Sequence, residues 1–188
     1  MNKIFLKTIL AGIIVVSIYS CGKDQKESKK EIRVKEEVAV ESNVDLNLTD
    51  SRSEIVFDDD NVTKIYDQYL LIKRGLVNSN FKVVQQEAKK MDNFIKDTDQ
   101  TKQLKSTTKL IALTKDIKKQ RDFFVTLTVE TEKLINTSAI TSGEVYKQFC
   151  PMAFDGNGGY WLSDSKEVRN PYYGNKMLKC GSVNETIK

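Results

Sequence analysis

From Lys82 to Ser142 the sequence contains neither proline nor glycine, and apolar residues recur through it at three- and four-residue steps. A breaker-free chain that keeps the helical period can bury its apolar positions only as amphipathic helices. Phe81, Val84, Ala88, Met91 and Ile95 form one stripe, Leu104, Thr107, Thr108 and Ile111 a weaker one. Ile117, Phe124, Leu127, Thr131, Leu134 and Ile135 form a longer third. Ahead of them Val62, Ile65, Tyr66, Tyr69, Ile72 and Leu76 mark a helix that Asn61 can cap and Asn78-Ser79-Asn80 ends. Asp97-Thr98-Asp99 breaks the second stripe and offers another cap, while the sequence leaves open whether the last two stripes form one bent helix. Short connections between such helices predict antiparallel neighbours. The expected fold over residues 61–188 is therefore all-α, a small antiparallel bundle of three to four helices. Tyr66, Tyr69 and Met91 lie on its core faces.

At Thr141-Ser142-Gly143 the composition changes. Residues 144–188 hold both prolines, most of the glycines, the only tryptophan, and Cys150, Met152, Met177 and Cys180. This reads as an irregular, turn-rich tail with short strands packed on the bundle, turning at Gly156-Asn157-Gly158-Gly159 and Asn170-Pro171.

The N-terminus predicts an address. Lys3 and Lys7 precede an apolar run, Ile9–Val16, that ends in Ser17 and Ser20 before Cys21. The run is shorter than the roughly 20 residues a spanning helix needs, so residues 1–20 read as a signal peptide. Ile18-Tyr19-Ser20-Cys21 resembles a loose bacterial lipobox, with Cys21 the lipidated first residue of the mature chain. Gly22 after it favours the outer membrane, facing the periplasm, and the lipid makes the membrane a partner. Residues 21–60 are charged and poor in large apolar groups, so they read as a disordered tether about 35 Å in reach. Ile32-Arg33-Val34 and Val38-Ala39-Val40 alternate as short strands do.

Charge and missing residue types exclude several functions. Cleavage before Cys21 lowers the formal charge from +4 to +2, 28 basic against 26 acidic residues, interspersed along the chain. That balance gives no basic stripe for a nucleic acid. The chain has no histidine, which removes imidazole metal sites, Ser/His/Asp triads and Cys/His dyads. Glu144, Asp155, Asp164 and Glu167 show no spacing that singles out an acid/base pair, and no enzyme activity is expected. Asp58-Asp59-Asp60 suits a helix N-terminus better than calcium. Asp155-Gly-Asn157-Gly-Gly159 starts like a calcium loop, but Lys166 stands where the bidentate glutamate belongs.

Sulfur remains. Cys150-Pro-Met152 and Met177-Leu-Lys-Cys180 offer two thiols and two thioethers. Cu(I) is soft and accepts sulfur ligands in flexible geometry, whereas structural zinc wants four Cys or His. Cys150, Met152, Met177 and Cys180 are thus a candidate Cu(I) site, with Trp161, Tyr172 and Tyr173 either shielding the ion or forming a small core. The alternative is a Cys150–Cys180 disulfide in an oxidising compartment. It would close a loop of about thirty residues and contribute roughly 3 to 4 kcal/mol, with the methionines as packing and the protein a structural or interaction module.

The tail strings Cys150-Pro-Met152-Ala-Phe154, Trp161-Leu-Ser163, Val168-Arg-Asn-Pro-Tyr-Tyr-Gly174 and Met177-Leu-Lys-Cys180-Gly181 resemble a domain-of-unknown-function family. That family occurs in Bacteroidota envelope lipoproteins and as a C-terminal appendage on some copper-efflux adaptor subunits. The likeness covers about residues 61–188. It implies a helical domain associated with heavy-metal handling and a metal-efflux or envelope protein as partner. A weaker likeness is to heavy-metal-binding segments with CPMHP followed by PGxCPxCGM. Here Ala153 replaces the histidine and Met177 the penultimate cysteine, which favours Cu(I) over zinc.

Overall fold

The computed structural model describes residues 44–188, and the signal peptide, Cys21 and the alternations at 32–34 and 38–40 lie outside them. Four helices carry the predicted stripes: α1 (Asp60–Val77), α2 (Phe81–Phe94), α3 (Lys102–Leu113) and α4 (Ile117–Ile135). Each packs on its neighbour in sequence, and α4 returns to α1. Tyr66, Tyr69 and Met91 are fully buried.

Two helix starts differ from expectation. Asp59, not Asn61, caps α1: its carboxylate accepts the Asn61 and Val62 N–H groups. With three consecutive aspartates, the middle one is the last residue in extended conformation and its side chain turns back onto the first turn. Within Asp97-Thr98-Asp99 the turn into α3 is held by Thr98, whose hydroxyl accepts the Thr101 N–H and whose carbonyl accepts the Lys102 N–H, and by neither carboxylate. Thr101 holds the cap position of α3 without a side-chain cap, and its hydroxyl pairs with that of Thr98. Asp116 caps α4 through the Lys118 and Lys119 N–H groups, so the last two stripes are separate helices broken at Thr114–Asp116.

The all-α expectation is corrected to a helical bundle carrying two small antiparallel sheets. Strands β1 (Val56–Phe57) and β2 (Ile140–Ser142) form one. Strands β3 (Val145–Cys150), β4 (Gly159–Ser163) and β5 (Ser182–Ile187) form the other, ordered β4-β3-β5. The tail's β-branched and aromatic residues, spaced by glycine turns, pair with one another instead of remaining irregular.

The tether is corrected too, for the packed structure already includes residues 44–60. Asp45 binds Arg74 at 2.9 Å and the amide of Asn78 at 2.7 Å, fastening the segment to the end of α1. Ile55 and Phe57 are buried, with the Phe57 ring edge-on to Tyr66 at 5.7 Å. These two apolar residues are too few to register against the surrounding charge, yet β1–β2 pairing seats them in the core.

One aromatic chain runs through that core. Tyr66, Tyr69, Phe124 and Tyr172 follow one another at centroid spacings of 6.2, 5.0 and 6.1 Å, and Tyr172 meets Trp161 edge-on at 5.9 Å. The Tyr69 hydroxyl pairs with Thr128 of α4 at 2.9 Å and accepts the Leu162 N–H of β4 at 3.0 Å. Bundle and tail thus share a single hydrophobic interior. Among the described residues no helix is long and apolar enough to cross a membrane.

Candidate sulfur site

Strand β3 ends at Cys150, paired on one side with Gly159 of β4. On the other side Phe149 faces Ser182 of β5, so the residues just before β5 arrive opposite Cys150. Cys180 is one of them. Gly181 makes the approach: its φ is +132°, and a Cβ there would stand 2.7 Å from the Phe149 carbonyl oxygen and 2.9 Å from the Trp161 ring.

No disulfide joins the two cysteines, and their sulfurs lie 2.7 Å apart, closer than unbonded sulfurs rest, with Cys150 buried and Cys180 half-buried. The hydrogen bond with Cys150 pushes the Cys180 thiol above its ordinary value, burial adds to this, and the Met152 backbone opposes it. Met152 is 53% exposed and Met177 half-buried, so neither is a core packing residue. Both are tied to the pair through the chain: Met152 by its backbone at Cys180, Met177 by its carbonyl, which accepts the Cys180 N–H at 3.0 Å.

The donor set suits a soft ion, and the spacing adds a condition. With bonds near the ~2.3 Å of zinc thiolates, two sulfurs on one tetrahedral ion lie about 3.8 Å apart. Loading a metal therefore requires Cys150 and Cys180 to separate by roughly 1 Å. Among the described residues no group of three His, Cys, Asp or Glu side chains is placed to hold a metal ion.

Trp161 and Tyr172 are buried core residues that lie against Gly181 and Gly159 on the inner side of the corner, and the Tyr173 hydroxyl donates to the Met152 carbonyl. The four tail carboxylates do not converge. Asp164 pairs with Arg52 at 3.5 Å, Glu167 with Arg169 at 3.1 Å and Glu144 with Lys188 at 2.9 Å. Asp155 lies exposed in the one-turn segment Ala153–Gly156, where Phe154 and Asp155 take φ of 53° and 58°. Asp58, the first of the acidic run, accepts from Ser138 and the Ala139 N–H, and the Ser138 bond holds its carboxyl below the usual range.

One polar pair did not stand out in the sequence. Lys73 donates to the Ser163 hydroxyl at 2.9 Å, and burial pushes its ammonium down to about 8 against the opposing pull of Asp164. Its place was readable, because Lys73 follows Tyr69 by four residues on the apolar face of α1. Lysine beside serine is a nucleophile arrangement, but Lys73 and Ser163 are 2% and 1% exposed, so no substrate reaches the hydroxyl.

Two of three comparisons find nothing: no curated protein and no solved structure matches the chain. A family model described as protein of unknown function (DUF3347) matches residues 65–143, from the second turn of α1 to the glycine before β3, and this supports a domain of unknown function over the bundle.

Proposed function

We propose that this chain is a non-enzymatic envelope lipoprotein that binds Cu(I), or a similarly soft ion, in copper handling or efflux support. Cys150 and Cys180 are the thiol ligands, Met152 and Met177 the thioether ligands, and Cys21 carries the lipid. One observation carries the reading: two cysteine sulfurs meet without a disulfide at a corner where Met152 stays 53% exposed. A methionine held open to solvent forgoes burial worth about 1.5–3 kcal/mol, and a soft ligand gives that position a use. The tail's resemblance to copper-efflux appendages points the same way. The family match ends at Gly143, so it lends nothing to the sulfur residues themselves.

The second reading is a structural or interaction module stapled by a Cys150–Cys180 disulfide, favoured by the 2.7 Å between the sulfurs. The two readings separate in the full-length chain carrying Cys21→Ser, where only the tail thiols report. Under reducing conditions, competition with a chromogenic Cu(I) chelator is expected to give one tightly held equivalent. Cys150→Ser/Cys180→Ser should abolish it, and Met152→Leu/Met177→Leu should weaken it at least tenfold. Equal competition by the wild type and the double cysteine variant would sink the metal reading. The staple is checked separately, by thiol count and mass of the unreduced protein.

A further inference from the structure

Asn170 is fully buried, and both ends of its amide are used. Its Nδ2 donates to the Cys180 carbonyl at 2.9 Å, and its Oδ1 accepts the Tyr172 and Tyr173 N–H groups at 2.8 and 3.3 Å. Its backbone N–H donates to the Leu178 carbonyl at 2.8 Å, and its carbonyl accepts from Gly174 at 3.1 Å. Three residues on, the Tyr173 hydroxyl donates to the Met152 carbonyl. One turn therefore grips the Cys180 segment with one residue and the Cys150–Met152 segment with another.

The same turn is fixed to the bundle. Arg121 of α4 donates through Nε to the Pro171 carbonyl at 2.8 Å, and through one terminal nitrogen to the Leu76 carbonyl at 3.1 Å and the Ser79 hydroxyl at 3.0 Å. Gly174 closes the turn at φ +58° against the end of α1, where a Cβ would stand 2.6 Å from the Ser79 hydroxyl oxygen. A rigid frame of this kind preorganises the two thiols for joining to each other.

We infer that Asn170 and Tyr173 are positioning residues of the sulfur pair, forming a clamp that holds the Cys150 and Cys180 segments at one separation. The inference rests on the sulfur-site reading for its metal consequence, but not for its thiol consequence. The thiol test is an exchange: Cys150 and Cys180 give two electrons and two protons to glutathione disulfide, one S–S bond forming as another breaks and two glutathione thiols leaving. The clamp raises the equilibrium constant of this exchange by preorganising the pair.

Tyr173→Phe removes one hydroxyl from a half-buried ring and leaves the packing, whereas Tyr160→Phe, a nearby exposed ring, is the control. In the full-length chain carrying Cys21→Ser, Tyr173→Phe should lower the glutathione equilibrium constant about five-fold, the factor a single hydrogen bond carries. The thermal midpoint of the reduced protein should stay with that of Tyr160→Phe, and Cu(I) affinity should hold or rise, because a metal needs the sulfurs farther apart than the clamp keeps them. Unchanged exchange in Tyr173→Phe overturns the inference. So does a shift matched by an equal loss of reduced-state stability, which would mark a merely structural bond. If the wild type holds Cu(I) no better than Cys150→Ser/Cys180→Ser, the metal reading fails and the exchange measurement still decides the clamp.

Discussion

Lys73 puts a cation inside the bundle with one short hydrogen bond, to Ser163, and its two remaining donor protons find no acceptor among the described residues. Burial lowers it from 10.5 to about 8, so the unfolded chain holds this proton where the folded chain has released it. The unfolded state then binds more protons, and the free energy of unfolding rises as pH increases from about 8 towards 10.5. The full gain is about 3 kcal/mol by the pKa-to-energy conversion. Above the ordinary tyrosine value of 10.0 an opposing effect enters, because burial raises Tyr66, Tyr69 and Tyr172 and their share of stability declines as the unfolded tyrosines ionise. Stability from these groups should peak near pH 10. Lys73→Met keeps most of the volume and leaves the Ser165 N–H to satisfy Ser163. It should equal or exceed the wild type at pH 7, and the difference should shrink as pH rises to 10. Urea titrations at pH 7, 8, 9 and 10 check this; a wild-type advantage at pH 7 that persists through the series contradicts it. The sequence placed Lys73 on the apolar face by period alone. Its lowered pKa was not legible, since that follows from burial completed by β4, whose Ser163 lies ninety residues away.

At the scale of elements, the helices were legible because each keeps its apolar stripe for several turns, and burial of a stripe depends little on what covers it. Starts were less legible: at Asp58-Asp59-Asp60 several residues compete to be the cap, and one position of difference decides. The strands were harder still. A segment such as Val145–Cys150 declares itself only through partners, and its partners come from both sides of the Asn170 turn. The two cysteines could be named as a pair from the sequence, yet their meeting follows from the β3–β5 register, and Asn170 and Tyr173 have no pattern of their own. Tyr69 tests how helix and strand are joined. Tyr69→Phe leaves the ring in its stack but strands the buried Leu162 N–H and the Thr128 hydroxyl. An unsatisfied buried donor costs about 1–3 kcal/mol, so the variant should lose that much in urea denaturation, and Thr128→Val on the Tyr69→Phe background should add far less than it does alone. Additive losses would show that the hydroxyl does not link the two elements.

The matched region, residues 65–143, covers most of the helices but none of the larger sheet, whereas the core disregards that boundary. Trp161 and Leu162 are fully buried, and Tyr172 lies between Trp161 and Phe124 of α4. Arg121 fastens the Asn170–Gly174 turn to the end of α1. Cutting the chain at Gly143 would expose aromatic faces on both pieces and leave Tyr69 without its strand partner. Bundle and tail should therefore unfold together. Trp161 is the only tryptophan and reports the tail, while far-ultraviolet circular dichroism reports mainly the helices. In urea the two signals should give one midpoint in the reduced protein. Forming the Cys150–Cys180 bond should move both upward together, by as much as the roughly 3 to 4 kcal/mol of loop closure and by less where β3–β5 pairing already confines the reduced chain. The chain ending at residue 143 should show no cooperative transition. A tryptophan transition well below the helical one, or a cooperative transition in the shortened chain, would make the tail a dispensable appendage and the sulfur corner a site on a separate unit.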